Sequence, residues 1–110
     1  MPSFFRNELI LVRYPFSDLS SSKVRPAIIV SGPHTSPDLL IVPVTSRTTP
    51  LYDGEFLLTD WRSAGLNVPS VVKRGVYTIL ATLVLKQIGM LSGPDVFQLN
   101  QSLKQWFVLP

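Results

Sequence analysis

Ser92-Gly93-Pro94-Asp95-Val96-Phe97-Gln98-Leu99-Asn100-Gln101-Ser102-Leu103-Lys104-Gln105-Trp106-Phe107 is the one stretch of this chain that reads clearly as a helix. Ser92 supplies a side-chain oxygen for the N-cap, and Pro94 suits a first turn whose N–H groups have no intrahelical partner. Asp95, three residues after Ser92, completes a capping-box pattern. Val96, Leu99, Leu103 and then Phe107 or Trp106 recur at helical spacing and form a single apolar stripe. One amphipathic helix at the end of a chain otherwise made of short apolar runs decides the fold class, because that stripe needs a sheet to pack on.

Upstream, Leu9 to Tyr14, Ala27 to Val30 and Leu39 to Val44 are β-branched or large apolar runs of strand length. Gly32-Pro33 and Ser36-Pro37-Asp38 provide turn chemistry between the second and third runs. Glu55 to Leu58 and Ser70 to Lys73 read as two further strands. Between them, Thr59 to Gly65 reads as one helical turn stopped by glycine. Val76 to Leu91 is ambiguous: its β-branched residues favour strand, yet Leu80 to Lys86 has room for a short helix. Ten prolines spread through the turns fit short strands. The expected fold is mainly β with a C-terminal α-helix, a compact SH3-like barrel forming a single domain over residues 1–110. No internal repeat or linker interrupts it.

Composition narrows the chemistry. An apolar fraction of 45% against 15% charged residues belongs to a packed domain rather than a disordered chain. The chain has no Cys, which excludes disulfides and thiolate metal sites and suits a cytoplasmic setting. The first dozen residues lack the apolar core of a signal peptide. The longest uncharged apolar stretch, Val76 to Leu85, falls short of a membrane span, so no membrane partner is expected. The net charge of +3 arises in the second half, with five basic and two acidic residues over 56–110 against five of each over 1–55. Such a balance fits a phosphate-bearing or acidic partner, although charge alone favours a plain solvated surface.

The single histidine, His34, sits beside Pro33 in a turn, and the two glutamates, Glu8 and Glu55, are far apart. Metal catalysis and His-based triads therefore have no candidates, and no cofactor is expected. There is no glycine-rich phosphate loop ahead of a helix. What remains is arginine, hydroxyl and carboxylate chemistry. RNA suits that inventory because it carries its own nucleophile, the ribose 2′-hydroxyl. A protein need only align it with the adjacent phosphate and stabilise the developing charge. Arginine's planar fork can grip two phosphate oxygens at once.

Order and spacing select among the options. Tyr14-Pro15-Phe16-Ser17-Asp18-Leu19 followed by Lys23-Val24-Arg25-Pro26-Ala27-Ile28-Ile29-Val30-Ser31 resembles the opening of PemK/MazF-like toxins. In that family an aromatic–Pro–Phe segment ends the first strand and an Arg-Pro dipeptide opens the second. The resemblance continues in Ile41-Val42-Pro43-Val44-Thr45-Ser46, in Gly65-Leu66 with Pro69-Ser70-Val71-Val72-Lys73, and in Ile88-Gly89-Met90-Leu91-Ser92. It implies an SH3-like homodimer that cuts single-stranded RNA, often mRNA, without metal, leaving a cyclic phosphate and a 5′-hydroxyl. A cognate antitoxin is the implied protein partner. The family's catalytic arginine and threonine fall on Arg25 and Thr45. Ser46, Lys73, Lys23, Tyr14 and Asp18 are the accompanying candidates for RNA contact. Trp61 and Trp106 read as packing residues.

Three positions depart from the family. Asn7 stands where a glycine usually precedes the first strand's acidic residue. Lys73 and Gly75 stand where some members carry an arginine and an acid, which leaves Asp18, Glu8 or Arg25 itself to manage the proton. Two rival functions accompany the ribonuclease reading: a toxin of the same fold that poisons a protein such as DNA gyrase, and a non-catalytic RNA-binding or adaptor module.

Overall fold

The computed structural model describes residues 3–14, 23–32 and 35–110, the side chain of Tyr14 excepted. Three antiparallel strands form the centre: β1 (Glu8–Tyr14), β2 (Lys23–Ile29) and β3 (Asp38–Thr45). β2 begins four residues before the expected Ala27 and takes in the Arg25-Pro26 dipeptide. Pro26 lies opposite Leu11 of β1, while β3 pairs only with Ala27, Ile28 and Ile29. Residues 23–26 thus form a sheet edge among the described residues, where a proline without an N–H is tolerated.

The ambiguous region resolves as strand, turn and strand: β6 (Tyr77–Leu80), a 3-10 turn (Ala81–Leu83) and β7 (Val84–Met90). The β-branched Thr78, Ile79 and Val84 prevail, and the short helix shrinks to that one turn. β4 (Phe56–Leu57) and β5 (Val71–Val72) are shorter than expected. The strands run in the order β4-β5-β3-β2-β1-β7, with β6 also paired to β3.

Strand alternation divides the interior in two. Leu9, Ile28, Val42 and Val44 face one side, where Leu58, Ala64, Val72, Leu91 and Leu99 meet them. Ile10, Val12, Ala27, Ile29, Leu39, Ile41 and Ile79 form the cluster on the other side. The period of two keeps both sets fully inside, and each large side chain so buried contributes about 1.5–3 kcal/mol. The central strands read as continuous apolar runs because both of their faces are covered.

α1 (Gly93–Phe107) covers the first cluster. Its stripe is Val96, Leu99, Leu103 and Trp106. Phe107 is 56% exposed and does not belong to it. Trp106 is drawn inward because its Nε1 donates to the Asp53 carbonyl at 2.8 Å. Ser92 caps the helix as expected, accepting the Asp95 N–H. Asp95, only 1% exposed, does more than the capping box asks. Its carboxylate accepts the N–H groups of Thr59 and Asp60, both at 2.9 Å, and so ties the helix start to a distant turn.

That turn closes the sheet. Gly65 has φ +92 and ends it in a Schellman pattern: Gly65 N–H donates to Arg62 O and Leu66 N–H to Trp61 O. A Cβ on Gly65 would run into the Ile88 carbonyl, and one on Gly89 into the Ala64 carbonyl. Bare backbone therefore packs on bare backbone between the β4–β5 connection and β7. No ladder joins β4 to β7 among the described residues. The barrel closes by this contact instead.

Candidate active site

The β2–β3 ladder ends at the pair Ala27–Pro43. Continued two steps further, its register would set Arg25 opposite Thr45. The strands part first, because β3 leaves β2 and pairs Val44 and Thr45 with Val72 and Val71 of β5. The split opens a groove of about 920 Å³. Val24, Arg25 and Pro26 line one bank, and Val44, Thr45, Ser46 and Arg47 the other. Residues 65–68 with Ser70 contribute the closing turn, and Leu11, Lys86 and Ile88 complete the lining.

Arg25 is exposed, and one of its nitrogens, Nη1, donates to the Val24 carbonyl at 3.1 Å. Among the described residues the other donors of its fork have no partner, which leaves them to a ligand. Thr45 is half-buried, and its Oγ1 accepts the Arg47 N–H at 3.1 Å. This is the turn bond expected of a threonine at a strand end, and it leaves the hydroxyl proton to donate. Arg47 and Lys86 bring two more cations, and among the described residues no carboxylate lines the groove. Such a lining favours an anion.

Of the remaining sequence candidates, Ser46 joins the groove. Lys73 does not: it is exposed beyond β5, with its N–H donated to the Pro43 carbonyl at 2.9 Å. Lys23 begins β2 next to the lining Val24 but does not line the groove itself. Tyr14 pairs with Lys23 at the end of β1, its side chain outside the described part. Asp18, His34, Pro15 and Phe16 also lie outside the described residues.

Glu8 cannot stand in for the missing acid from where it lies. Its carboxylate accepts the Phe5 N–H at 3.2 Å and Gln87 Nε2 at 2.8 Å, away from the groove. Gly75 does not line the groove either. It has φ +141 and packs under the Tyr77 ring, so a side chain there would be strained. Trp61 and Trp106 both pack against the core.

Sequence reading missed Arg47, Lys86 and Asn67. Arg47 follows Thr45 by two residues and could have been found by extending the strand's alternation. Lys86 became visible only once its segment resolved as strand, and Asn67 carried no signal at all. Among the described residues no group of three His, Asp or Glu is placed to hold a metal. Nor is any helix there long and apolar enough to cross a membrane.

The chain is thus a curled antiparallel sheet with one C-terminal helix and a groove of cations and hydroxyls at its split. The chain belongs to the family of PemK-like, MazF-like toxins of type II toxin–antitoxin systems, whose sequence profile matches residues 5–107. Among solved structures, it is similar to the Mycobacterium tuberculosis toxin MazF-mt6, with a TM-score of 0.75 and 25% identity over 94% of this chain and 98% of that one. MazF from Deinococcus radiodurans superposes with a TM-score of 0.77 at 18% identity, covering 99% of this chain and all, 100%, of the other. An endoribonuclease in complex with its cognate antitoxin, from a mycobacterial species, gives 0.78 at 14% identity, with 98% of each chain covered. No curated protein is similar enough in sequence to count as a match.

Proposed function

We propose that this chain is an endoribonuclease, the toxin of its pair, cutting single-stranded RNA such as mRNA at short sequence motifs without a metal. The observation that carries the reading is the placement of Arg25 and Thr45 in one groove, on the separate strands β2 and β3, together with two further cations. In the reaction, the ribose 2′-oxygen forms a bond to phosphorus and the bond from phosphorus to the 5′-oxygen breaks. The products are a 2′,3′-cyclic phosphate and a 5′-hydroxyl. Arg25 grips the non-bridging oxygens through its fork, and the Thr45 hydroxyl donates to the same phosphorane as its charge grows. The 2′-hydroxyl proton passes to Arg25, to Asp18 or to solvent; among the described residues, which do not include Asp18 or His34, neither carboxylate nor imidazole lines the groove. A leaving 5′-oxygen takes up a proton in turn.

The solved endoribonuclease–antitoxin complex supports a cognate antitoxin as the protein partner here. A homodimer in the cytoplasm, where mRNA is met, completes the reading. A protein-poisoning toxin or a passive adaptor has no need for arginine and threonine side chains in one groove.

Purified protein incubated with a panel of single-stranded RNAs in EDTA tests the proposal. Cleavage leaving 5′-hydroxyl ends, abolished by Arg25→Ala in a protein that still folds, is the expected result. Intact RNA across the panel rejects it, and growth arrest with intact RNA and trapped gyrase–DNA complexes would favour the protein-poisoning reading.

A further inference from the structure

The groove has two kinds of wall. Arg25, Arg47 and Lys86 are point or fork cations suited to phosphates. The closing turn, Leu66-Asn67-Val68, is apolar except for one carboxamide. A nucleobase presents such a wall with what it can bind: flat apolar faces and an edge that both donates and accepts. Asn67 is the one groove-lining side chain that is planar and does both.

Its placement is fixed from both ends. Leu66 N–H donates to the Trp61 carbonyl at 3.0 Å, and the buried Ser70 hydroxyl donates to the Val68 carbonyl at 2.9 Å. Behind them, Gly65 is wedged against Ile88. Within this frame Asn67 is exposed, and its amide has no hydrogen-bond partner among the described residues. A rigid backbone holding an unpaired amide is how a recognition group keeps its selectivity, because little ordering is left for the ligand to drive.

We propose that Asn67 reads the edge of one nucleobase of the bound strand, making residues 66–68 the specificity wall of the groove. This rests on the reading of the groove as an RNA site. A two-bond contact between an amide and a base edge discriminates by about tenfold or more.

The test measures binding of 2′-O-methyl hexamers of A, C, G or U, which cannot be cut, in lithium salt to keep the guanosine hexamer single-stranded. The expected result is that the native protein prefers one hexamer by about tenfold, and that Asn67→Ala removes the preference while leaving the weakest hexamer unchanged. Lys86→Ala is expected to weaken all four alike. The proposal is overturned if Asn67→Ala keeps the ranking, if it weakens every hexamer equally, or if the native protein binds none. Because the hexamers are not cleaved, base ranking by a protein that leaves RNA intact overturns the nuclease reading alone. Cleavage by a protein indifferent to Asn67 overturns this inference alone.

Discussion

Thr45 Oγ1 accepts the backbone N–H of Arg47 at 3.1 Å, so the threonine hydroxyl is oriented before any ligand arrives. A hydroxyl so held can donate to a phosphorane without first losing rotational freedom. Thr45→Val keeps the shape but removes the donor, and cleavage is expected to fall about 10²- to 10³-fold, as for the loss of one preorganised donor. Thr45→Ser restores most of it. Arg25→Lys is expected to fail like Arg25→Ala, because an ammonium cannot grip two oxygens in a fork. Single-turnover rates with thermal unfolding of each variant decide the matter. Arg25 is exposed, so its variants should unfold within about 0.5 kcal/mol of the native protein.

Arg47, just past the end of β3, and Lys86, within β7, both line the groove, and each is expected to meet a phosphate. Binding to single strands weakens with salt by about 0.7 logarithmic units per neutralised phosphate. Arg47→Ala and Lys86→Ala should each lower the slope of log affinity against log salt by about that amount. Titrations of uncleavable RNA between 50 and 200 mM salt, roughly the span over which such slopes are read, measure it. An unchanged slope would remove that residue from the phosphate path.

Arg25 and Thr45 are named by the resemblance to PemK/MazF-like toxins, which the order and spacing of its motif blocks carry, and both line the groove. The split that sets them on separate banks, where β3 leaves β2 for β5, has no local signature in the sequence. The stripe of α1 was legible because periodicity is local. Lys73 does not line the groove, because β5 is only two residues long and adjacency to a Val-Val strand does not say which side of it meets the groove. Asn7 shows how a departure can be conservative. Its φ of +73 is one glycine adopts freely and asparagine tolerates, so the turn into β1 is kept. Gly65 pressing on Ile88, which positions Asn67, is a contact across the closing seam that no single-sequence pattern contains.

Glu55 offers a pH dependence outside the groove. Burial raises its pKa, but the N–H groups of Arg74 and Tyr52, each 2.9 Å from a carboxylate oxygen, and the charges of Lys73 and Arg74 together bring it below its ordinary value. A carboxylate with a lowered folded pKa stabilises fully above its unfolded value, about 4.5. That contribution is lost as pH falls through the folded value. Glu55→Gln should therefore cost about 1 kcal/mol near neutrality, discounted for the exposure of the site. The cost should shrink below pH 4.5. Paired urea melts of the two proteins from pH 7 downward read the difference directly, and a gap that stays constant to pH 3 would refute it.

The end of α1 is terminated by a residue poorly suited to the task. Val108 has φ +54, with its N–H donated to the Gln105 carbonyl and the Leu109 N–H to Lys104, the same Schellman pattern that Gly65 makes upstream. For a β-branched residue that conformation crowds Cβ against the following carbonyl, at a cost of about 1–2 kcal/mol that glycine does not incur. Val108 is 88% exposed, so its side chain contributes little packing to set against this. Val108→Gly loses part of the gain to the greater freedom of glycine in the unfolded chain. The net expectation is a stabilisation of about 0.5–1 kcal/mol, or a rise in Tm of roughly 2–6 °C for a domain of this size. Val108→Ala still carries a Cβ in the left-handed region and should gain much less. Calorimetry on the three proteins separates the backbone effect from side-chain loss, because equal gains for glycine and alanine would mean that strain at Val108 is not the cause.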